Sequence, residues 1–162
     1  MGYLEEKKNL EKIAEYLDQN EMKIPYKFQD IGDTDNEVFP AIICVFRCGE
    51  LDFDVILYNL GKWIHGKALL LNTNPFPSQT VLKIYEISLG LNYDLPECTF
   101  SLFKNNLYIE IDCLVGIPLK DFKAEFESIG IGIESFINVI KNQDISIKST
   151  KGGLKEVKRQ FE

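Results

Sequence analysis

The 162-residue chain contains a single histidine, His65, a single tryptophan, Trp63, and two methionines. One imidazole per subunit excludes a metal site built on two or three histidines, and with it the H-E-x-x-H hydrolases. There is no G-x-S-x-G elbow and no Walker A run. Gly130-Ile131-Gly132 sits inside an apolar helical pattern rather than after a strand, so it does not read as a dinucleotide loop. Positive charge is in deficit: 18 Lys and Arg against 25 Asp and Glu leave a net charge of −7. That balance argues against nucleic acid as a partner, because a phosphate backbone selects for clustered Lys and Arg. No run approaches the ~18 consecutive apolar residues of a membrane span. The start, Met1 to Glu6, is charged where a signal peptide carries its apolar region, and position 6 is not the Ser or Thr of a myristoylation signal, so the expected setting is the cytoplasm, away from membranes.

Cysteine is scarce as well. Cys44, Cys48, Cys98 and Cys113 form no C-x-x-C pair and lie in apolar or strand-like runs, where a reducing compartment leaves them as small buried hydrophobes. In a hyperthermophile, Cys98 and Cys113 would be the pair to bridge, since the pattern puts them on adjacent strands of one hairpin.

What is present is an ordinary globular composition, 45% hydrophobic, 27% charged and 12% aromatic, at a length suited to one domain. From Tyr3 to Asn20, Leu10, Ile13, Ala14 and Leu17 recur at helical spacing opposite a Glu/Lys face. Residues 24–28 make a short extended piece that Pro25 confines to an edge, and Asp30 to Glu37 reads as an acidic loop. Three strands follow at about 39–48, 51–58 and 62–71, separated by turn signals at Gly49-Glu50 and Asn59-Leu60-Gly61. Ser78 caps a second helix running to Leu89 and closed by Gly90; it is apolar nearly all round, which predicts cover on more than one side. A hairpin, 99–103 and 107–113, turns through Lys104-Asn105-Asn106. A third helix opens at Pro118 and carries one apolar seam from Leu119 to Ile140, which Gly130 and Gly132 weaken. The fold class is α+β: an antiparallel sheet, a three-stranded meander plus a hairpin, with three helices in the order α-βββ-α-ββ-α. Residues 1–142 make one domain, and 143–162 form a basic tail with Gly152-Gly153 as a joint before a possible short helix, 154–161.

This order resembles the type III secretion chaperone-like fold, in particular the YbjN-like family, over residues 3–142. The resemblance is carried by the acidic loop leading into Val38-Phe39-Pro40-Ala41-Ile42-Ile43, the turn-linked strands through Leu69-Leu70-Leu71, and the helix after Pro77 ending at Leu89-Gly90-Leu91-Asn92. The hairpin Phe100 to Asp112 and Ile117-Pro118-Leu119 with its long seam complete it. Such families imply small acidic dimers that bind unfolded segments of other proteins or regulate them through protein contacts, with no catalytic residue to carry over. The Lys-rich tail and the Asp30 to Glu37 loop depart from that pattern.

The expectation is therefore a non-catalytic protein-binding module, chaperone-like or regulatory and homodimeric, with no cofactor and no metal. Its partner is another protein or protein segment. If Ile42, Cys44, Phe46, Leu51, Phe53, Val55 and Leu57 face the helices, the opposite face carries Ile43, Val45, Ile56 and Tyr58, joined by Leu70, Tyr108 and Leu114. These seven are the expected partner-binding residues, unless the tail or a helix covers them within the chain. The alternatives are a small enzyme or a sensor. Glu50, Asp52 and Asp54 alternate, so they can either hold a divalent cation or merely dress a solvent face. A small-molecule pocket between helix and sheet would be lined by Trp63 and Tyr85. Charge is polarised along the chain. Residues 29–60 carry seven acids (Asp30, Asp33, Asp35, Glu37, Glu50, Asp52, Asp54) against Arg47, whereas residues 147–162 carry five bases against two acids.

Overall fold

A computed structural model describes residues 2–32, 37–148 and 150. The elements are α1 (Tyr3–Asp18), β1 (Tyr26–Ile31), β2 (Phe39–Cys48), β3 (Leu51–Leu60), β4 (Trp63–Asn72), α2 (Ser78–Asp94), β5 (Thr99–Phe103), β6 (Asn106–Leu114) and α3 (Leu119–Lys141). The six strands form one antiparallel sheet in the order β1-β2-β3-β4-β6-β5, so the α+β class and the run of meander, helix, hairpin and helix hold. The edge piece after α1 is a full strand that takes in Asp30 and Ile31, the first residues of the expected acidic loop; Asp33 to Asn36 lie outside the described residues.

The turns follow from residues that accept a positive φ. Gly49 and Gly61 stand at +61° and +59° between neighbouring strands, and Lys104 and Asn105 at +46° and +65° close the β5–β6 hairpin, the sign pattern of a type I′ turn. Asn106 is the first residue of β6 rather than part of the turn. Pro77 and Pro118 are the N-cap residues of α2 and α3, and no side chain caps α2, so Ser78 does not have the capping role its sequence position suggested. Nor does α2 stop at Gly90. It runs on to Asp94, because Gly90 stays helical and the residue that cannot continue is Leu95, turned out of the helical region at φ −119° and ψ 88° before Pro96.

All three helices pack on one face of the sheet. Leu10, Ile13, Ala14 and Leu17 of α1, Ile84 and Leu91 of α2, and Phe122, Ile129, Ile133, Phe136 and Ile140 of α3 share one core with Ile42, Phe53, Val55, Leu57, Ile109 and Ile111. Gly130 and Gly132, expected only to weaken α3, are what lets it lie close: a Cβ on Gly132 would sit 2.1 Å from Ile109 Cδ1 and 2.9 Å from Cys98 Sγ, and one on Gly130 would sit 2.8 Å from the Phe46 ring. Asn92 ties α2 to β5, its Nδ2 donating to the Phe100 carbonyl at 3.0 Å and its Oδ1 accepting from the Phe100 amide at 2.6 Å.

The expectation that α2 is covered on several sides does not hold. Within this chain only Ile84, Ser88 and Leu91 are buried, while Leu82, Leu89 and Tyr93 stand 62%, 70% and 91% exposed. All four cysteines are free thiols, and burial pushes Cys44 and Cys113 up to about 12 and Cys98 to about 11. Cys98 and Cys113 are not cross-strand partners: Thr99 pairs with Glu110, so Cys98 lies just outside β5 while Cys113 is three residues beyond Glu110.

Candidate functional site

The second face of the sheet carries no helix among the described residues, and alternation decides what it presents. In β2 and β3 the register Ala41↔Tyr58, Ile43↔Ile56, Val45↔Asp54 and Arg47↔Asp52 sets apolar pairs at one end and the Arg47–Asp52 ion pair at the other. Ile31, Phe39, Ala41, Ile56 and Tyr58 form a second apolar cluster, separate from the helix-side core. Phe39 and Tyr58 lie 5.5 Å apart between ring centroids, and Tyr58 stacks on His65 at 5.4 Å.

Toward β6 the face becomes polar. Lys67 and Glu110 are register partners with Nζ to Oε1 at 2.9 Å; the Lys67 ammonium also stands 4.0 Å from the Tyr108 ring centroid, although Lys67 is only 3% exposed. Ser101 Oγ donates to the same Glu110 oxygen at 2.8 Å. His65 Nδ1 pairs with Asp112, also its register partner. A cavity of about 270 Å³ opens beside this pair, lined by Leu60, Trp63, His65 and Asp112. Buried charge of this sort persists only where a partner is close, so the ladder orients side chains across β4, β6 and β5.

Of the seven residues expected to bind a partner, Ile43, Ile56, Tyr58 and Tyr108 lie on this face and are each at most 3% exposed; Val45 and Leu114 are 46% and 49% exposed at its margins. Leu70 is not on it. It is buried in the helix-side core, on the same parity as Ile64 and Ala68, and a register shift between Leu69 and Leu71 brings Leu71 to that side as well. Three consecutive leucines carry no alternation from which that could be read.

The acidic triplet is also rearranged. Asp52 is clasped by Arg47, Nε at 2.7 Å and Nη2 at 3.0 Å, while Glu50 falls in the β2–β3 turn rather than on the strand. No group of three or more His, Cys, Asp or Glu able to hold a metal forms among the described residues. Trp63 and Tyr85 do not share a pocket: Trp63 lies beside His65 and Asp112 on the open face, and Tyr85 lines a separate groove with Thr73, Phe76 and Asn105. Lys67 and Ser101, the partners of Glu110, were not foreseen from the sequence. The signal, a lone lysine in an apolar strand, is visible only once β4 and β6 are in register.

No family model matches the chain, and no curated protein matches it. Among solved structures it is similar to YbjN from E. coli, described as a candidate transcription regulator, at 11% identity and a TM-score of 0.54, over 85% of this chain and 95% of that one. A likeness at this identity is one of fold: it supports the YbjN-like architecture and leaves the type III secretion chaperone part of the resemblance without a match. No helix among the described residues is long and apolar enough to cross a membrane.

Proposed function

We propose that the protein is a non-catalytic protein-binding module, regulatory or chaperone-like, working in the cytoplasm, and that the helix-free face of the sheet is its recognition surface. The observation that carries this is the second apolar cluster: a sheet whose helices all lie on one side spends aliphatic and aromatic side chains on the other, flanked by an oriented charge ladder. The apolar residues exposed at its margins, Val45 and Leu114, sit among polar neighbours, as at the rim of a protein interface. The likeness to a candidate regulator in fold is compatible with that reading. Of the six expected residues on this face, Val45 and Leu114 are exposed enough to be the direct contacts proposed, whereas Ile43, Ile56, Tyr58 and Tyr108 are buried within this chain.

The protein is also proposed to be a homodimer, on a different observation: Leu82, Leu89 and Tyr93 make an apolar stripe on the outer side of α2 that no described element covers. Light scattering at micromolar concentration tests this, with a dimer expected for the native chain and a monomer for Leu89→Glu. A photo-reactive side chain at Val45 or Leu114, both exposed enough to replace without disturbing the fold, tests the recognition surface. The same protein or small set of proteins is expected to cross-link in the source cells at both positions and not at Lys8 on α1. Equal cross-linking at all three removes the assignment.

A further inference from the structure

We propose that the edge of β6 from Asp112 to Leu114 is a docking groove for an extended segment of another protein, which adds there as a strand in line with β5 and carries a Lys or Arg. This rests on the protein-binding reading above and gives it a second contact, on the edge of the sheet rather than on its face.

The outer edge of the sheet changes character along β6. That strand runs from Asn106 to Leu114, but β5 pairs with it only as far as Thr99↔Glu110. The chain before β5 is drawn to the helix layer instead, where the Glu97 carbonyl accepts from Ser128 Oγ of α3 at 3.2 Å. Parity then gives the direction of the hydrogen bonds. The Phe100 amide and carbonyl are both taken by the Asn92 side chain, so they point away from β6, and the groups of Thr99, Ser101 and Phe103 point toward it. Their register partners Glu110, Tyr108 and Asn106 face β5, and by the same alternation Asp112 and Leu114 direct their amides and carbonyls to the outer edge. Val115, of the other parity, donates its amide to the Lys62 carbonyl on the β4 side at 2.9 Å. The Leu114 carbonyl accepts from the Ile117 amide at 3.0 Å. What is left at the edge is the Asp112 amide and carbonyl and the Leu114 amide, which no strand among the described residues faces. Asn92 closes the edge where β5 stands and leaves it open where β5 ends.

A groove of about 440 Å³ runs along this stretch. Trp63, Val115 and Ile117 give it apolar walls, Asp112, Asp121 and Glu125 give it three carboxylates, and no Lys or Arg lines it among the described residues. The carboxyl groups bear on one another: burial, then Glu97 and Asp112, raise that of Glu125. A basic side chain entering the groove relieves this crowding of like charge. The Trp63 ring suits a cation as well, since Lys62 Nζ already stands 5.5 Å from its centroid. The fitting occupant is therefore an extended segment, whose main chain answers the open edge while its side chains alternate between apolar and basic. A helix has no spare main-chain groups to offer along its length.

The experiment uses the ¹⁵N-labelled full chain and the end-blocked peptide Val-Lys-Val-Lys-Val-Lys-Val, with the peptide carrying Glu in place of each Lys as its counterpart. At saturating lysine peptide the amides of Asp112 and Leu114 are expected to shift and to exchange with solvent at least about tenfold more slowly. The glutamate peptide is expected to bind at least about tenfold more weakly. Leu114→Pro removes the outward donor while leaving the bonds to β4, and is expected to weaken the lysine peptide about fivefold. Asp121→Asn with Glu125→Gln, which leaves the main chain alone, gives the second measurement: about fivefold weaker binding and a smaller dependence on salt. Equal binding of the two peptides, unchanged exchange at Asp112 and Leu114, or shifts there that follow protein concentration without peptide, which would make a second copy the occupant, each overturns the docking. If the groove fails in one of these ways while Val45 still cross-links as above, the docking is wrong and the recognition surface stands. If Asp112 and Leu114 are protected while Val45 cross-links no more than Lys8, the groove stands and the open face is not the recognition surface.

Discussion

The two faces of this sheet are built from the same strands and solve different problems. The helix side is filled almost wholly by aliphatic and aromatic groups, and where space runs out it uses the absence of a side chain, Gly132 against Ile109 and Gly66 against Ile111, to bring elements close. The open side interleaves Ile43, Ile56 and Tyr58 with Lys67–Glu110 and His65–Asp112. A surface meant only for burial has no need of buried charge, which costs desolvation and holds only in specific geometry. The difference teaches that the helix side is held by close apolar packing, and the open side by specific polar geometry as well.

The contrast can be broken by mutation. Phe136 is fully buried and packs on Phe100 at 5.8 Å between centroids. Phe136→Ala is expected to cost about 3–5 kcal/mol by denaturant titration. Ile56→Ala on the open face is expected to cost less than Phe136→Ala, about 2–4 kcal/mol. A cost at Ile56 as large as that at Phe136 would erase the distinction between the faces.

The glycines sharpen it further. Gly132→Ala places a methyl group against Ile109 and Cys98 and is expected to lose about 1 kcal/mol net, overpacking outweighing the gain in helix propensity. Gly90→Ala in α2, with nothing within 4 Å of the new Cβ, is expected to gain up to about 1 kcal/mol. Thermal melts of the two variants check both signs.

The smallest expected effect lies at the rim. Burial, and then the nearby Glu97 and Asp112, raise the Glu125 carboxyl above its ordinary value. The folded chain therefore holds that proton more tightly than the unfolded one. The corresponding stability is present at pH below the ordinary glutamate range and is lost as pH rises through the raised folded value. Glu125→Gln is expected to flatten that part of the stability–pH curve, and an unchanged slope would contradict it.

Much of the fold could be read locally. Alternation in Leu51-Asp52-Phe53-Asp54-Val55 placed β3 and its inward side, Gly49 and Gly61 placed two turns, and the three-and-four spacing of Phe122, Ile129, Ile133, Phe136 and Ile140 placed the seam of α3. The errors fall where local signals are silent. Leu69-Leu70-Leu71 has no alternation, Gly90 looks like a stop but is not required to be one, and α2, although apolar on several sides, is covered on one. On the open face, Ile43, Ile56, Tyr58 and Tyr108 lie where parity alone puts them. Lys67 and Ser101 were missed because their meaning lies in strands some 40 residues away from Glu110 or across a hairpin from it.

By itself, then, the sequence determined which segments become helices and strands, where they turn, and that catalytic histidine clusters and phosphate loops are absent. Those properties depend on residues within a few positions of one another, whose dihedral preferences and spacing act before any long-range contact forms. Only the tertiary structure decided that the three helices share one side, that glycines in α3 are there for close approach, that Arg47 takes Asp52, and that Thr150 bonds to Asp52 of β3 and Leu69 of β4. These depend on register and on the space between distant segments, and a single residue of slippage would exchange one face for the other.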